Sequence, residues 1–274
     1  MDSYAVIGNP IKHSISPQIH NKFATDTKQN ISYTKILSPI DSFEKVVTKF
    51  FQNKGKGLNI TVPFKLEAYQ LVDKLTANAK ICKAVNTIKI KDSILYGENT
   101  DGLGLVKDIK NNLNITIKDK IILILGAGGS VRGIIYPLLL EEPNNIVVAN
   151  RTTTKAEELA KEFSQYGNIE GIGLTEAKNI KADIIINATS AFLNKSSLSS
   201  DIGGIKISNS TICYDLMYGS DTEFMIWAKN NNAKIISDGL GMLVEQAALS
   251  FEFWRGIKPK TKNIIANLQK TLRC

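Results

Sequence analysis

Apolar positions in the first hundred residues follow two rhythms. Short runs at Tyr4–Gly8, Tyr33–Leu37 and Leu58–Thr61 read as strands, and the segments between them have helical spacing. The clearest stripe is Phe43, Val46, Val47, Phe50 and Phe51, which predicts a helix with one apolar face that Asp41 or Ser42 can cap. Ala84–Ile90 and Ile94–Tyr96, separated by the polar Lys91-Asp92-Ser93, predict a hairpin. These elements make a small α/β sheet.

A different pattern starts at Ile121–Leu125, a continuous apolar run of the kind found in strands buried on both faces. Further runs at Ile146–Ala149, Ile184–Ile186, Thr211–Tyr214 and Lys234–Ile236 alternate with helical stretches, as in a doubly wound parallel sheet. The joint between the two patterns is expected in or after a helix from Gly102 to Asn112. Two last helices are expected at about Leu243–Trp254 and Asn263–Leu272. The fold class is therefore α/β with two lobes, an N-terminal α/β domain and a Rossmann-type parallel-sheet domain.

The length of 274 residues allows two domains of ordinary size, and 43% hydrophobic with 22% charged residues excludes disordered and fibrous classes. The sequence contains no apolar run long enough to span a membrane, and Met1-Asp2-Ser3-Tyr4 does not open a secretory signal, so a cytoplasmic location is expected. Cys82, Cys213 and Cys274 are far apart, suit a reducing compartment and have no metal-ligand spacing. The net charge of +8 comes from scattered lysines, densest at Lys258, Lys260 and Lys262, with no interleaved aromatics. That pattern points to a solvated surface and against nucleic acid. Of the arginines Arg132, Arg151, Arg255 and Arg273, two are expected beside phosphates.

Gly126-Ala127-Gly128-Gly129-Ser130-Val131-Arg132-Gly133 lies between the buried run and an apolar helix that contains Pro137. Small residues there let the backbone turn sharply and approach a pyrophosphate, whose charge meets backbone N–H groups at the start of the helix. The loop departs from the usual dinucleotide spacing, with Val131 at the third glycine position. An NAD site requires an acid at the end of the next strand, and here the strand runs into Asn150-Arg151-Thr152 with Lys155 nearby. Cations beside amide and hydroxyl donors suit a 2′-phosphate, which points to NADP.

Polar motifs flank the N-terminal strands: Ser14-Ile15-Ser16-Pro17, Asn59-Ile60-Thr61-Val62-Pro63-Phe64-Lys65, Ala84-Val85-Asn86-Thr87 and Asn99-Thr100-Asp101-Gly102. Each reads alone as a cap or turn; Ser16 before Pro17, for instance, has the form of an ordinary N-cap. Together they offer hydroxyls and amides for a small polyhydroxylated acid.

With Gly8-Asn9-Pro10-Ile11-Lys12-His13-Ser14, Asn187-Ala188-Thr189-Ser190, Tyr214-Asp215-Leu216-Met217-Tyr218 and Asp238-Gly239-Leu240-Gly241-Met242-Leu243-Val244-Glu245-Gln246-Ala247, these motifs follow the family's order, and the chain resembles the shikimate dehydrogenases over nearly its whole length. The resemblance implies reversible reduction of 3-dehydroshikimate by NADPH on the way to aromatic amino acids. It implies Lys65 and Asp101 as the catalytic pair, and Ser14, Ser16, Asn59, Thr61, Asn86, Tyr218 and Gln246 as substrate contacts. Gly126, Ala127, Gly128, Gly129 and Ser130 would hold the pyrophosphate, with Arg132 assisting. Asn150, Arg151, Thr152 and Lys155 would hold the adenosine phosphate, and Thr189, Leu216, Gly239 and Met242 would line the nicotinamide pocket. No metal is implied.

The chemistry is consistent with this assignment. Hydride transfer to a ketone needs a proton for the developing alkoxide, and a lysine held by a carboxylate can donate it. Oxidation requires that lysine to lose its proton first, so alkaline pH should favour oxidation. The implied domains are 1–101 completed by 239–274 for substrate, and 102–238 for NADP, with a cleft between them, in a monomer or homodimer. Departures from the family pattern are Ala77 for Glu, Lys83 for Gly, Ala191-Phe192 where Gly is expected, and no proline in the segment from Gly219 to Phe224. A quinate/shikimate dehydrogenase that prefers NAD, and a non-catalytic NADP-binding regulator, are the alternatives.

Overall fold

The computed structural model describes residues 1–189 and 202–272. Ser190, Ala191, Phe192, Arg273 and Cys274, named above, lie outside them. The chain forms two compact units: Met1–Leu105 with Leu243–Asn267, and Val106–Met242 with Leu268–Cys274.

The first unit contains β1 (Asp2–Gly8), α1 (Ser16–Asp26), β2 (Ile31–Leu37), α2 (Phe43–Gln52), β3 (Gly55–Ile60), α3 (Lys65–Leu71), β4 (Lys74–Leu75), α4 (Ala77–Cys82), β5 (Thr87–Lys91), β6 (Ile94–Glu98) and α5 (Asp101–Lys107), whose last residues pass into the second unit. Its sheet has the order β2-β1-β3-β5-β6-β4. β1 pairs in parallel with β2 and β3, while β5 runs antiparallel to both β3 and β6. The predicted hairpin is β5–β6, and Asp92 and Ser93 at its tip take φ of 52° and 61°, as a tight turn requires. β4, only two residues long, is too short to leave a pattern in the sequence.

The stripe on α2 is real: Phe43 and Val47 are buried against Ala5, Leu58 and Phe64. Its cap is not as expected, because Ser42 occupies the N-cap position without any capping bond from its side chain. At α1 the N-cap is Ile15, and Ser16 is the first helical residue. The Ser14 hydroxyl oxygen instead accepts from the Ser16 N–H at 3.3 Å and lies 3.1 Å from the Ser16 hydroxyl.

The second unit contains β7 (Ile121–Leu125), α6 (Gly129–Leu139), β8 (Asn145–Asn150), α7 (Thr153–Phe163), β9 (Ile169–Gly173), β10 (Ile184–Asn187), β11 (Ile212–Asp215), α8 (Glu223–Asn230) and β12 (Ile235–Ser237). All pairings in its sheet, of order β12-β11-β10-β7-β8-β9, are parallel. Leu123, Leu125, Val147, Ile185 and Cys213 form its core. β9 is a strand that periodicity does not reveal, since Gly171 and Gly173 dilute its apolar pattern. Tertiary packing explains Gly171, where a Cβ would meet the α7 backbone at Ala156 at 2.2 Å. α9 (Leu240–Arg255) and α10 (Lys262–Leu272) complete the described chain, and no helix among the described residues is long and apolar enough to cross a membrane.

Candidate active site

In the first unit the polar motifs meet. β3 delivers Asn59, its exit carries Thr61, and Lys65 opens α3. The Thr61 N–H donates to the Ile7 carbonyl at 2.9 Å, and a Cβ on Gly8 would meet the Thr61 methyl at 2.3 Å, so glycine lets the two strand ends approach. Asp101 opens α5, with its N–H donating to Asn99 Oδ1 at 3.1 Å. The Lys65 ammonium then reaches Asp101 Oδ2 at 2.7 Å, with side chains only 12% and 8% exposed. Such an ion pair has little water around it, so both charges depend on their protein partners.

Asn86 supplies the next partner. Its Nδ2 donates to Asp101 Oδ1 at 2.8 Å and to Thr100 Oγ1 at 2.8 Å, with Gln246 Oε1 at 3.3 Å. Its Oδ1 accepts from the Thr100 N–H at 2.9 Å and from the Thr87 hydroxyl at 2.8 Å. Asn59 is fully engaged: Tyr33 donates to its Oδ1 at 2.7 Å, and its Nδ2 faces Ser250, Thr87 and the Asn86 carbonyl. The structure thus brings Lys65, Asp101, Asn86, Asn59 and Gln246 into one connected group. Tyr218 is half-buried and belongs to the other unit, and His13 is exposed.

Ser250 and Tyr33 are members outside every motif, and Thr87 and Thr100, which lie within the motifs, hold Asn86 in place. Ser250 lies one helical turn after Gln246 on α9, a spacing that could have marked it. Beneath the group, His20 is fully buried and stacks on Tyr33 with centroids 4.3 Å apart and an interplanar angle of 5°. Neither of its ring nitrogens finds a hydrogen-bond partner, and burial lowers its pKa to about 3.

In the second unit the glycine loop follows β7, whose neighbours in the sheet are β8 and β10. This is the point where strand order reverses, and open α/β sheets bind ligands there. Gly126 takes φ of 111°, and a Cβ on it would press on the Thr189 methyl at 3.0 Å. A Cβ on Gly128 or Gly129 would meet nothing within 4 Å, and Gly128 gives α6 no side-chain cap. The loop therefore leaves open space in front of helix N–H groups, which suits a phosphate.

At the end of β8, Asn150 Nδ2 donates to the Thr152 carbonyl at 3.0 Å, Arg151 is exposed, and α7 has no acid in its first turn. Those residues fit a 2′-phosphate. The Arg132 guanidinium grips Glu162 through two bonds of 2.7 and 2.8 Å and so ties α6 to α7, a contact the sequence does not announce.

The Thr189 hydroxyl and N–H both donate to Asn187 Oδ1, and Asn187 Nδ2 donates to Asp215 at 2.9 Å. Burial raises the pKa of Asp215, opposed by its bonds from Thr222, the Met217 N–H and Asn187. Gly239 is pressed against the Leu216 carbonyl, 2.3 Å from where its Cβ would stand, and Met242 is buried nearby in sequence.

Three family patterns match the chain: a shikimate dehydrogenase substrate binding domain over residues 6–88, a shikimate/quinate 5-dehydrogenase over 107–200, and a shikimate 5′-dehydrogenase C-terminal domain over 239–269. The chain is 53% identical to a shikimate dehydrogenase (NADP(+)) of Vesicomyosocius okutanii subsp. Calyptogena okutanii, covering 98% of this chain and 100% of that one. It is 46% identical to the enzyme of the same name from Chromobacterium violaceum, covering 99% of each. Among solved structures, a shikimate 5-dehydrogenase from Thermus thermophilus, in complex with NADP(H) and shikimate, superposes with a TM-score of 0.86 at 29% identity, covering 98% of this chain and 99% of that one. This chain belongs to the shikimate dehydrogenase family.

Proposed function

We propose that the chain catalyses the reversible NADPH-dependent reduction of 3-dehydroshikimate to shikimate, in the cytoplasm, as a step toward aromatic amino acids. The observation that carries this reading is the sequestered Lys65–Asp101 pair at 2.7 Å, ringed by amide and hydroxyl groups in a chain of this family. The first unit takes the role of substrate domain and the second that of NADP domain.

Bound NADPH supplies the hydride. Gly126, Ala127, Gly128, Gly129 and Ser130 would hold its pyrophosphate, and Asn150, Arg151, Thr152 and Lys155 its 2′-phosphate. Lys65 Nζ donates a proton to the ketone oxygen as its negative charge grows, and takes one back from the hydroxyl in the oxidation. Asp101 Oδ2 aims that ammonium and stabilises its charge, while Asn86 Nδ2 holds the second carboxylate oxygen. Ser14, Ser16, Thr61, Gln246 and Tyr218 would contribute hydroxyl and amide groups to the substrate's carboxylate and ring hydroxyls.

The test follows NADPH absorbance during incubation with 3-dehydroshikimate, beside NADH and a Lys65→Ala variant. Consumption of NADPH in preference to NADH, lost in the variant while both ligands still bind, is the expected result. Equal use of NADH would overturn the role of Arg151, and no turnover with either cofactor would overturn the reaction.

A further inference from the structure

Backbone groups, which either only donate or only accept, fix the direction of the hydrogen bonds behind the Lys65–Asp101 pair. The Thr100 backbone N–H can only donate, and it points at Asn86 Oδ1 at 2.9 Å, so Asn86 turns its Nδ2 to Asp101. The Asn86 backbone carbonyl can only accept, and it lies 3.3 Å from the Asn59 amide, which makes that atom Nδ2 and leaves Oδ1 for Tyr33. Thr87 gives its proton to Asn86 Oδ1 at 2.8 Å. Its oxygen is then an acceptor for Ser250, 2.7 Å away, and Ser250 in turn accepts from Asn59 Nδ2 at 3.0 Å. The competing partners for the Ser250 proton, the Gln246 carbonyl at 3.0 Å and Thr100 Oγ1 at 3.1 Å, are both further off.

We infer that Tyr33, Asn59, Ser250, Thr87 and Asn86 form a one-way relay of donors ending on Asp101, and that Ser250 is a positioning residue for the catalytic pair. Tyr33 donates to Asn59, Asn59 to Ser250, Ser250 to Thr87, Thr87 to Asn86, and Asn86 to Asp101 Oδ1. Lys65 approaches Oδ2 of the same carboxylate. Ser250 is completely buried, so water cannot replace its hydroxyl. Without it, Asn59 loses its nearest side-chain acceptor and Thr87 its nearest donor, so the Thr87 hydroxyl is held less firmly toward Asn86 Oδ1 and the Asn86 amide is left oriented by Thr100 alone. A rotated Asn86 would present Oδ1 to Asp101 and repel it, so the line sets how the carboxylate faces Lys65.

This rests on the proposed reaction, and the test separates the two. Ser250→Thr and Ser250→Val have nearly the same shape and differ in the hydroxyl. Turnover of shikimate with NADP+ is measured together with hydrogen exchange of the Asn86 side-chain amide by NMR. We expect kcat in the Val variant to fall roughly 10-fold below the Thr variant, at similar KM for NADP+, with Asn86 exchange about 10-fold faster. Tyr33→Phe should move both readouts in the same direction by less. If the β-branched pair does not fold, Ser250→Ala against wild type replaces it, since it adds no bulk.

Equal kcat and equal Asn86 exchange with and without the hydroxyl would overturn the relay. A wild-type protein that turns over no shikimate, yet whose Asn86 exchange separates Thr from Val, would overturn the reaction and leave the relay standing.

Discussion

The two units are built in opposite ways where their candidate residues lie. In the first unit the proposed catalytic pair sits in a closed group in which Asn86, Asn59, Thr87, Thr100 and Ser250 are buried and bonded to one another. In the second unit the glycine loop is open: Gly128 and Gly129 face empty space, α6 has no side-chain cap, and Arg151 is exposed. A charged pair that must keep its geometry while protons move gains from rigid, saturated surroundings. A phosphate site keeps its backbone donors available and leaves room for the ligand. The two regions should therefore respond differently to substitution.

The largest effect is expected from opening the closed side. Asn86→Ala strands Thr87, the Thr100 N–H and Asp101 Oδ1 at once, each without water to replace the lost bond. Denaturant unfolding should show a loss of about 2–4 kcal/mol, and kcat should fall by roughly 100-fold or more. Unchanged stability would mean that the group is not closed.

A second way to probe that side is pH. His20 has an unfolded pKa near 6.5 and is held neutral by burial to about 3. The unfolded chain binds a proton that the folded chain refuses in this window, so its stabilising neutrality is fully present above pH 6.5 and is lost as pH falls. Between pH 6.5 and 5 stability should drop by about 2 kcal/mol from this residue. Urea titrations at both pH values, beside His20→Phe, should show a smaller drop in the variant; equal drops would mean that His20 reaches water.

The open side should behave in reverse. Gly128→Ala adds a Cβ that meets nothing, at an ordinary φ of −89°. Unfolding stability should change by less than about 0.5 kcal/mol, while the KM for NADPH rises about 10-fold because the methyl occupies ligand space. A large loss of stability would show that the loop is packed after all.

The smallest effect concerns a departure from the family pattern. Lys83 ends α4 in the left-handed region, at φ 48° and ψ 36°, where the family's glycine has no Cβ to strain. Lys83→Gly should raise the unfolding free energy by about 0.5–1 kcal/mol and leave kcat unchanged. A loss of stability would show that the lysine side chain's own contacts outweigh the backbone strain.

Much of the second unit was legible because its signals are local. A five-residue apolar strand, glycines directly after it, and an arginine in place of an acid on the next strand are all contiguous features. β9 escaped because its glycines answer to α7, a partner that its own pattern does not name. The sequence places a cation, Arg132, at the start of α6, and only the structure shows Glu162 facing it.

On the closed side, motifs and resemblance identified Lys65, Asp101 and Asn86, but not the serine and tyrosine that hold them. Ser250 stands 163 residues from Thr87 and 191 from Asn59. By itself the sequence determined the alternation of strands and helices, the glycine loop and the residue types of the proposed pair, since backbone propensity and hydrophobic period act over a few neighbours. Tertiary structure alone decided which buried donor meets which acceptor. Hydrogen-bond direction depends on groups brought within about 3 Å from distant parts of the chain, and no spacing along the sequence records that meeting.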